Sequence, residues 1–206
     1  MNKRPRMTNG WSRVTTVLSF LDASWKEHWL RKYGFEHCDR ITKESSEFGS
    51  HVHKIVETWL LSQAIPEGYT EKEVAWATAI INWLSENKAV LVHINGKPCL
   101  EYEVKDEKLK LIGHLDAVFE INGENVLTDF KSTNEHRKSY PVQKAVYAKL
   151  LEGKLEVNKG LTIKVKKEQE TPIVDVAWYP NLKKKYWPIF KAGYVFYRYM
   201  SGKVKI

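Results

Sequence analysis

Two aspartates and a lysine, Asp116, Asp129 and Lys131, are the residues of this 206-residue chain whose types and spacing could do chemistry. They lie in the stretch GHLDAVFEINGENVLTDFK, Gly113 to Lys131, which is apolar and rich in β-formers at both ends and broken by Asn122-Gly123-Glu124-Asn125. That pattern predicts two antiparallel strands joined by a tight turn. Side chains alternate along a strand, so Asp129 and Lys131 share a face and the hairpin returns Asp116 beside them. Two carboxylates brought that close must share a proton, sit in water or hold a cation. For an isolated D-x-K the ordinary outcome is a solvated hairpin. Here Val126-Leu127-Thr128-Asp129-Phe130 runs apolar into the acid, which sets the carboxylate at the edge of a core.

The elements that must position these groups are readable from periodicity. Residues 14–33 predict an amphipathic helix, as two short pieces broken near Asp22-Ala23-Ser24 and stopped at Gly34, with Val17, Leu21, Trp25, Trp29 and Leu30 as a core stripe. A second helix is predicted over 45–64, burying Phe48, Val52, Ile55, Val56, Trp59 and Leu60. His53 lies one residue off that stripe, with Glu57 one turn further on. Pro66-Glu67-Gly68 makes a turn, and Thr70-Glu71-Lys72-Glu73 reads as a capping box before a helix to about Asn87. Strands follow over 98–104, 109–121 and 125–131; Glu101 and Glu103 share a face of the first, and the sequence leaves open which way that face turns. A helix over 139–151 puts Gln143 and Tyr147 on one side, apart from its Val142, Val146, Leu150 stripe. Two more strands, 161–167 and 173–178, precede a helical tail over 181–200. The tail interleaves Lys183, Lys184 and Lys185 with Trp187, Phe190, Tyr194, Phe196 and Tyr197, which could line a single-strand groove. Packed aromatics beside solvated lysines are the simpler reading.

Three motifs stand in one order: Gly49-Ser50-His51-Val52-His53, then Gly113-x-x-Asp116 with Asp129-x-Lys131 thirteen residues on, then Gln143-Lys144-Ala145-Val146-Tyr147. Together, over about residues 46 to 150, they resemble the PD-(D/E)XK nuclease superfamily. The resemblance is to its RecB-like exonuclease branch, which includes phage exonucleases, mitochondrial genome-maintenance exonucleases and CRISPR-associated iron–sulfur nucleases. It implies an α/β fold with an αβββαβ core, a central mixed sheet flanked by helices. It implies a single domain, with an arm and helices over 1–45, a catalytic core over 46–180 and a C-terminal helix over 181–206. It also implies a site in which Asp116, Asp129 and Lys131 are catalytic and Asp116, Asp129, His53 and the Phe130 carbonyl bind metal. Gln143 and Tyr147 would contact the DNA backbone or order the lysine. His53 is chosen over His51 because it stands four residues after Gly49; His51 is left as a phosphate contact.

The implied function is hydrolysis of DNA phosphodiester bonds with Mg²⁺ or Mn²⁺, by an exonuclease that prefers single strands or free ends. Carboxylates are hard ligands suited to either ion, and the softer imidazole favours Mn²⁺. Lys131 is expected to orient and help deprotonate the attacking water. A structure-specific or restriction-type endonuclease, and a catalytically idle DNA-binding relative, are the alternatives. A replication or recombination protein is a further partner.

Composition is consistent with this. The net charge of +8 and pI of about 9.3 favour a polyanionic partner, though charge alone does not identify one. No apolar run is long enough to span a bilayer, and Met1 to Arg6, MNKRPR, lacks the apolar segment of a secretory signal, so a basic arm and a cytoplasmic location, or host cytoplasm if the protein is viral, are expected. Two cysteines, Cys38 and Cys99, are too few for a four-cysteine iron–sulfur cluster, and none is expected.

Overall fold

The computed structural model describes residues 10–133, 136–168 and 171–202, with all of their side chains except those of Trp25, Lys167 and Glu168. The basic arm expected at Met1 to Arg6 lies outside the described residues. In chain order the elements are β1 (Ser12–Arg13), α1 (Val14–Leu18), a 3₁₀ turn (Ser19–Asp22), α2 (Ala23–Tyr33), α3 (Phe35–Ser62) and α4 (Glu71–Glu86). There follow β2 (Val90–Leu91), β3 (His93–Ile94), β4 (Lys97–Pro98), β5 (Leu100–Asp106), β6 (Leu111–Ile121) and β7 (Glu124–Lys131). The chain continues through α5 (Ser139–Leu150), β8 (Lys159–Glu168), β9 (Thr171–Tyr179) and α6 (Leu182–Met200). The succession from α4 through β5, β6, β7, α5 and β8 is the expected αβββαβ order.

The main sheet is mixed. β5, β6 and β7 form an antiparallel meander, β7 and β8 run parallel across the α5 connection, and β9 returns antiparallel to β8. Helices cover both faces. One face packs Leu111, Leu115, Val118 and Leu127 under α1, α5 and α6; the other packs Phe119, Ile121, Val126, Phe130 and Ile163 under α3 and α4. The capping box of α4 forms as expected, with Thr70 Oγ1 accepting from the Glu73 backbone N–H and Glu73 accepting from that of Thr70.

Two helix expectations need correction. α3 begins at Phe35, about ten residues earlier than its apolar pattern, and in that first part only Cys38 is buried. A helix polar all round has no stripe to read. Among the described side chains α2 places none in the core: Trp29 and Leu30 are only half-buried, since α2 packs chiefly on the 3₁₀ turn and α3, and the expected core position of Trp25 lies outside the described side chains. In α6 the packed reading holds for Trp187, Phe190 and Tyr194, which stack in sequence against the α1–α5 face. Phe196 stays exposed.

The sheet opens at one place. β6 pairs with β7 from Ile121↔Glu124 as far as Ala117↔Thr128 and no further, while β7 keeps pairing with β8 out to Lys131↔Lys164. β1 takes the vacated edge of β6 at Leu111 and Ile112. Between these pairings the two strands splay, and the motif residues fill the gap.

Candidate active site

At the splay the Asp116 carboxylate replaces the missing ladder bond: its Oδ2 accepts from the backbone N–H of Phe130 at 2.8 Å. Asp116 is thus fixed by the strand it should have paired with. Next to it, Glu101 of β5 sits at a positive φ of 45°, a left-handed conformation uncommon for a non-glycine residue inside a strand. Here the strand changes sides. Leu100 packs with the α3–α4 face and Tyr102, two residues on, with the opposite one; Ala117 and Leu115 of β6 are divided in the same way. The local twist brings Glu101 and Asp116 to the same opening.

His53 reaches this opening from α3. Its Nε2–H donates to the Phe130 carbonyl at 2.8 Å, which turns Nδ1 toward Asp116 Oδ2 at 3.7 Å and Glu101 Oε1 at 3.9 Å. Those two separations are too long for hydrogen bonds. One ligand atom from each of His53, Glu101 and Asp116 lies within 4.8 Å of the others, a nitrogen and two oxygens able to hold a metal ion. Burial works against a charged imidazole, but Asp116 and Glu101 outweigh it and push His53 up to about 9. Burial also raises the Asp116 carboxyl above its usual value, with Asp129 adding to the effect and His53 opposing it. The His53 shift reports the carboxylates it faces, and the Asp116 shift reports burial first.

Asp129 occupies the other side of the opening. Lys131 Nζ lies 2.6 Å from its Oδ1 and Lys144 Nζ 3.2 Å from its Oδ2. Burial disfavours the Asp129 charge, yet the two ammoniums hold the carboxyl well below the usual carboxylate range. Lys131 is raised above the ordinary lysine value: burial pulls it down, but Asp129 and Asp116 more than offset this. Against these two carboxylates it stands as an ammonium and a donor. Lys144 is lowered by burial, against the pull of Asp129.

The three motifs thus meet at a single cavity of about 650 Å³, lined by His53, Glu101, Asp116, Asp129, Lys131, Gln143 and Tyr147 together with Arg13, Thr15 and His114. No family model matches the chain. It is 27% identical over 141 residues to mitochondrial genome maintenance exonuclease 1 of Mus musculus, covering 65% of this chain and 40% of that one. Motifs and relative together support a likeness to PD-(D/E)XK nucleases. Among solved structures it is similar to the crystal structure of SSO0001, with a TM-score of 0.42, 11% identity, 95% of this chain and 80% of that one covered. It is also similar to LHK-Exo in complex with dAMP, with a TM-score of 0.28, 7% identity, 77% and 98% covered.

In this PD-(D/E)XK-like site the motif glycines have a steric reason. A Cβ on Gly113 would lie 2.4 Å from Cε1 of Tyr147, and one on Gly49 would lie 2.8 Å from Oγ of Ser132, next to Lys131. Tyr147 is buried, not on the helix surface; burial pushes its hydroxyl up to about 12, and Gln143 Nε2 donates to that hydroxyl at 3.1 Å. Gln143 is the member of the pair nearer solvent. The Phe130 carbonyl, expected as a ligand, is engaged by His53. Glu57 pairs with Lys54 and Glu103 with His114. His51 is drawn 2.6 Å from Glu73 of α4 and faces away from the cavity residues. Sequence reasoning missed Lys144 and left Glu101 undecided. For Lys144 a signal exists: it follows Tyr140 and precedes Ala148 at helical spacing, on a face that is buried throughout.

Proposed function

We propose that the chain is a divalent-cation-dependent DNA nuclease that attacks single strands or free ends as an exonuclease. The observation that carries this reading is the convergence of His53, Glu101 and Asp116 beside an ammonium, Lys131, which Asp129 holds at 2.6 Å, all in one open cavity. The donor set fits a hard divalent ion: two carboxylate oxygens, one imidazole nitrogen and a surplus of negative charge. His53 Nδ1, Glu101 and Asp116 would hold Mg²⁺ or Mn²⁺, with Asp129 completing the set through a lone pair its lysines leave. The bound ion would supply positive charge to a phosphodiester that otherwise repels its nucleophile.

The chain's own residues do the rest. Lys131 donates to the attacking water or to the phosphate oxygen that gains charge, and costs little reorganisation because Asp129 already aims it. Phe130 fixes two ligands at once: its N–H binds Asp116 and its carbonyl sets the His53 tautomer. Gln143, anchored on Tyr147, presents an amide to the substrate backbone. A second cavity of about 430 Å³ adjoins the first through Thr15, Lys131 and Gln143 and brings Lys26 and Arg137 to the same path, suited to a polyanionic strand.

End-labelled single- and double-stranded DNA incubated with Mg²⁺, Mn²⁺ or EDTA tests the proposal. Release of labelled nucleotides with either ion and none with EDTA is expected. A circular single strand should survive; its cleavage would make the protein an endonuclease, and no release from any substrate would leave only a DNA-binding relative.

A further inference from the structure

Lys144 lies in a seat built for a cation. It is 1% exposed, and its ammonium donates to Thr162 Oγ1 at 2.8 Å and to Asp129 Oδ2 at 3.2 Å. The rings of Tyr140 and Tyr179 stand 5.7 and 5.5 Å from it. Its stem passes where Gly160 has no side chain, since a Cβ there would meet Lys144 Cδ at 2.8 Å. Asp129 and Thr162 are register partners on β7 and β8, so the sheet itself sets the spacing of the two oxygens. A carboxylate and a hydroxyl side by side would equally suit a hard metal ion, and a lysine fills that place.

Charge counting points the same way. With His53 neutral, as a metal ligand must be, Glu101, Asp116 and Asp129 face Lys131 and Lys144, which leaves one net negative charge. One divalent cation changes this to one positive charge, matched in size by a phosphodiester anion. A second would leave an unmatched double charge in a largely buried site. Two-metal centres also need about 4 Å between ions and a carboxylate shared between them. Asp129, the carboxylate placed to be shared, has its Oδ2 committed to Lys144.

Resting on the nuclease reading, we infer that Lys144 takes the place of a second metal ion, so that the centre binds a single divalent cation on the His53, Glu101 and Asp116 side. Lys144 is then a positioning residue: it holds Asp129, which aims Lys131, and does not itself meet the substrate.

The test is the number of Mn²⁺ ions bound per chain, measured on the full chain by calorimetry and by metal analysis after gel filtration. The wild type is expected to hold one, and Lys144→Ala, which clears the seat, two; Lys144→Arg, which keeps the charge, should hold one. Two ions in the wild type, or one in folded Lys144→Ala, would overturn the inference. Should Lys144→Ala unfold in EDTA, its refolding on Mn²⁺ with two ions bound supports the inference, and failure to refold counts against it. Nucleotide release assayed on the same preparations separates the two readings. One ion without cleavage removes the nuclease and leaves the stoichiometry; two ions with cleavage does the reverse.

Discussion

The two sides of the cavity are built on opposite electrostatic plans. On the β7–α5 side, buried Asp129 and Lys144 and half-buried Lys131 are mutually paired at 2.6 and 3.2 Å. On the α3–β5 side, His53 faces two carboxylates at 3.7 and 3.9 Å, and Glu101 is 39% exposed there. One side neutralises its carboxylate with two lysines; the other gathers ligand atoms suited to a cation. Stability should therefore reside in the first and metal dependence in the second.

The largest expected effect follows from removing the pivot of each side. Asp129→Ala leaves the buried Lys144 ammonium and the half-buried Lys131 ammonium without their carboxylate and should cost about 3–5 kcal/mol in urea unfolding, along with activity. Asp116→Ala should abolish cleavage, by roughly a thousandfold or more on the scale of a lost charge-stabilising group, while costing in EDTA only the about 1–2 kcal/mol of the Phe130 N–H it leaves unpaired. Equal destabilisation by the two would erase the contrast.

Next, Lys131→Ala should lower cleavage by roughly 10²–10³-fold with the apparent Mn²⁺ affinity largely kept. His53→Ala should do the converse, weakening Mn²⁺ binding by roughly tenfold or more, as read by calorimetry. An unchanged metal titration would take His53 out of the ligand set.

Smaller still is the expected effect at Glu101. Its left-handed backbone carries strain of about 1–2 kcal/mol, partly offset in a glycine variant by unfolded-chain entropy of about 0.5–1 kcal/mol. Glu101→Gly should thus gain up to about 1 kcal/mol in EDTA while binding Mn²⁺ more weakly, and a loss of stability would show that the strain has another source.

The smallest concerns Glu73, away from the site. Burial works to raise its carboxyl, but the Thr70 and His51 hydrogen bonds outweigh it and lower the value from 4.5. A lowered folded-state value means stability present above the ordinary glutamate value and lost as pH falls through the lowered one. Glu73→Gln should flatten that acid limb, by about 1 kcal/mol or less, without touching metal binding.

What could be read from the sequence, and what could not, follows the same division. Asp116, Asp129 and Lys131 were visible because strand alternation holds where elements are regular, whereas His53, Gln143 and Tyr147 were singled out by the resemblance of their motifs. The hairpin was right in kind, but its pairing stops at Ala117↔Thr128, so Asp116 meets the Phe130 N–H and not the Asp129 side. Glu101 was undecidable because alternation fails where φ turns positive. Lys144 was passed over because a lysine on a helix ordinarily marks solvent, although Tyr140 and Ala148 one turn to either side mark its face as the packed one. The polar start of α3 left no period to detect.

Metal dependence is assigned to His53, Glu101 and Asp116, whose ligand atoms lie within 4.8 Å of one another. Anomalous diffraction from crystals soaked in Mn²⁺ tests it directly. A single peak is predicted among His53 Nδ1, Glu101 and Asp116, with Lys144 still on Asp129 Oδ2. No peak there, or one between Asp129 and Thr162, would contradict it.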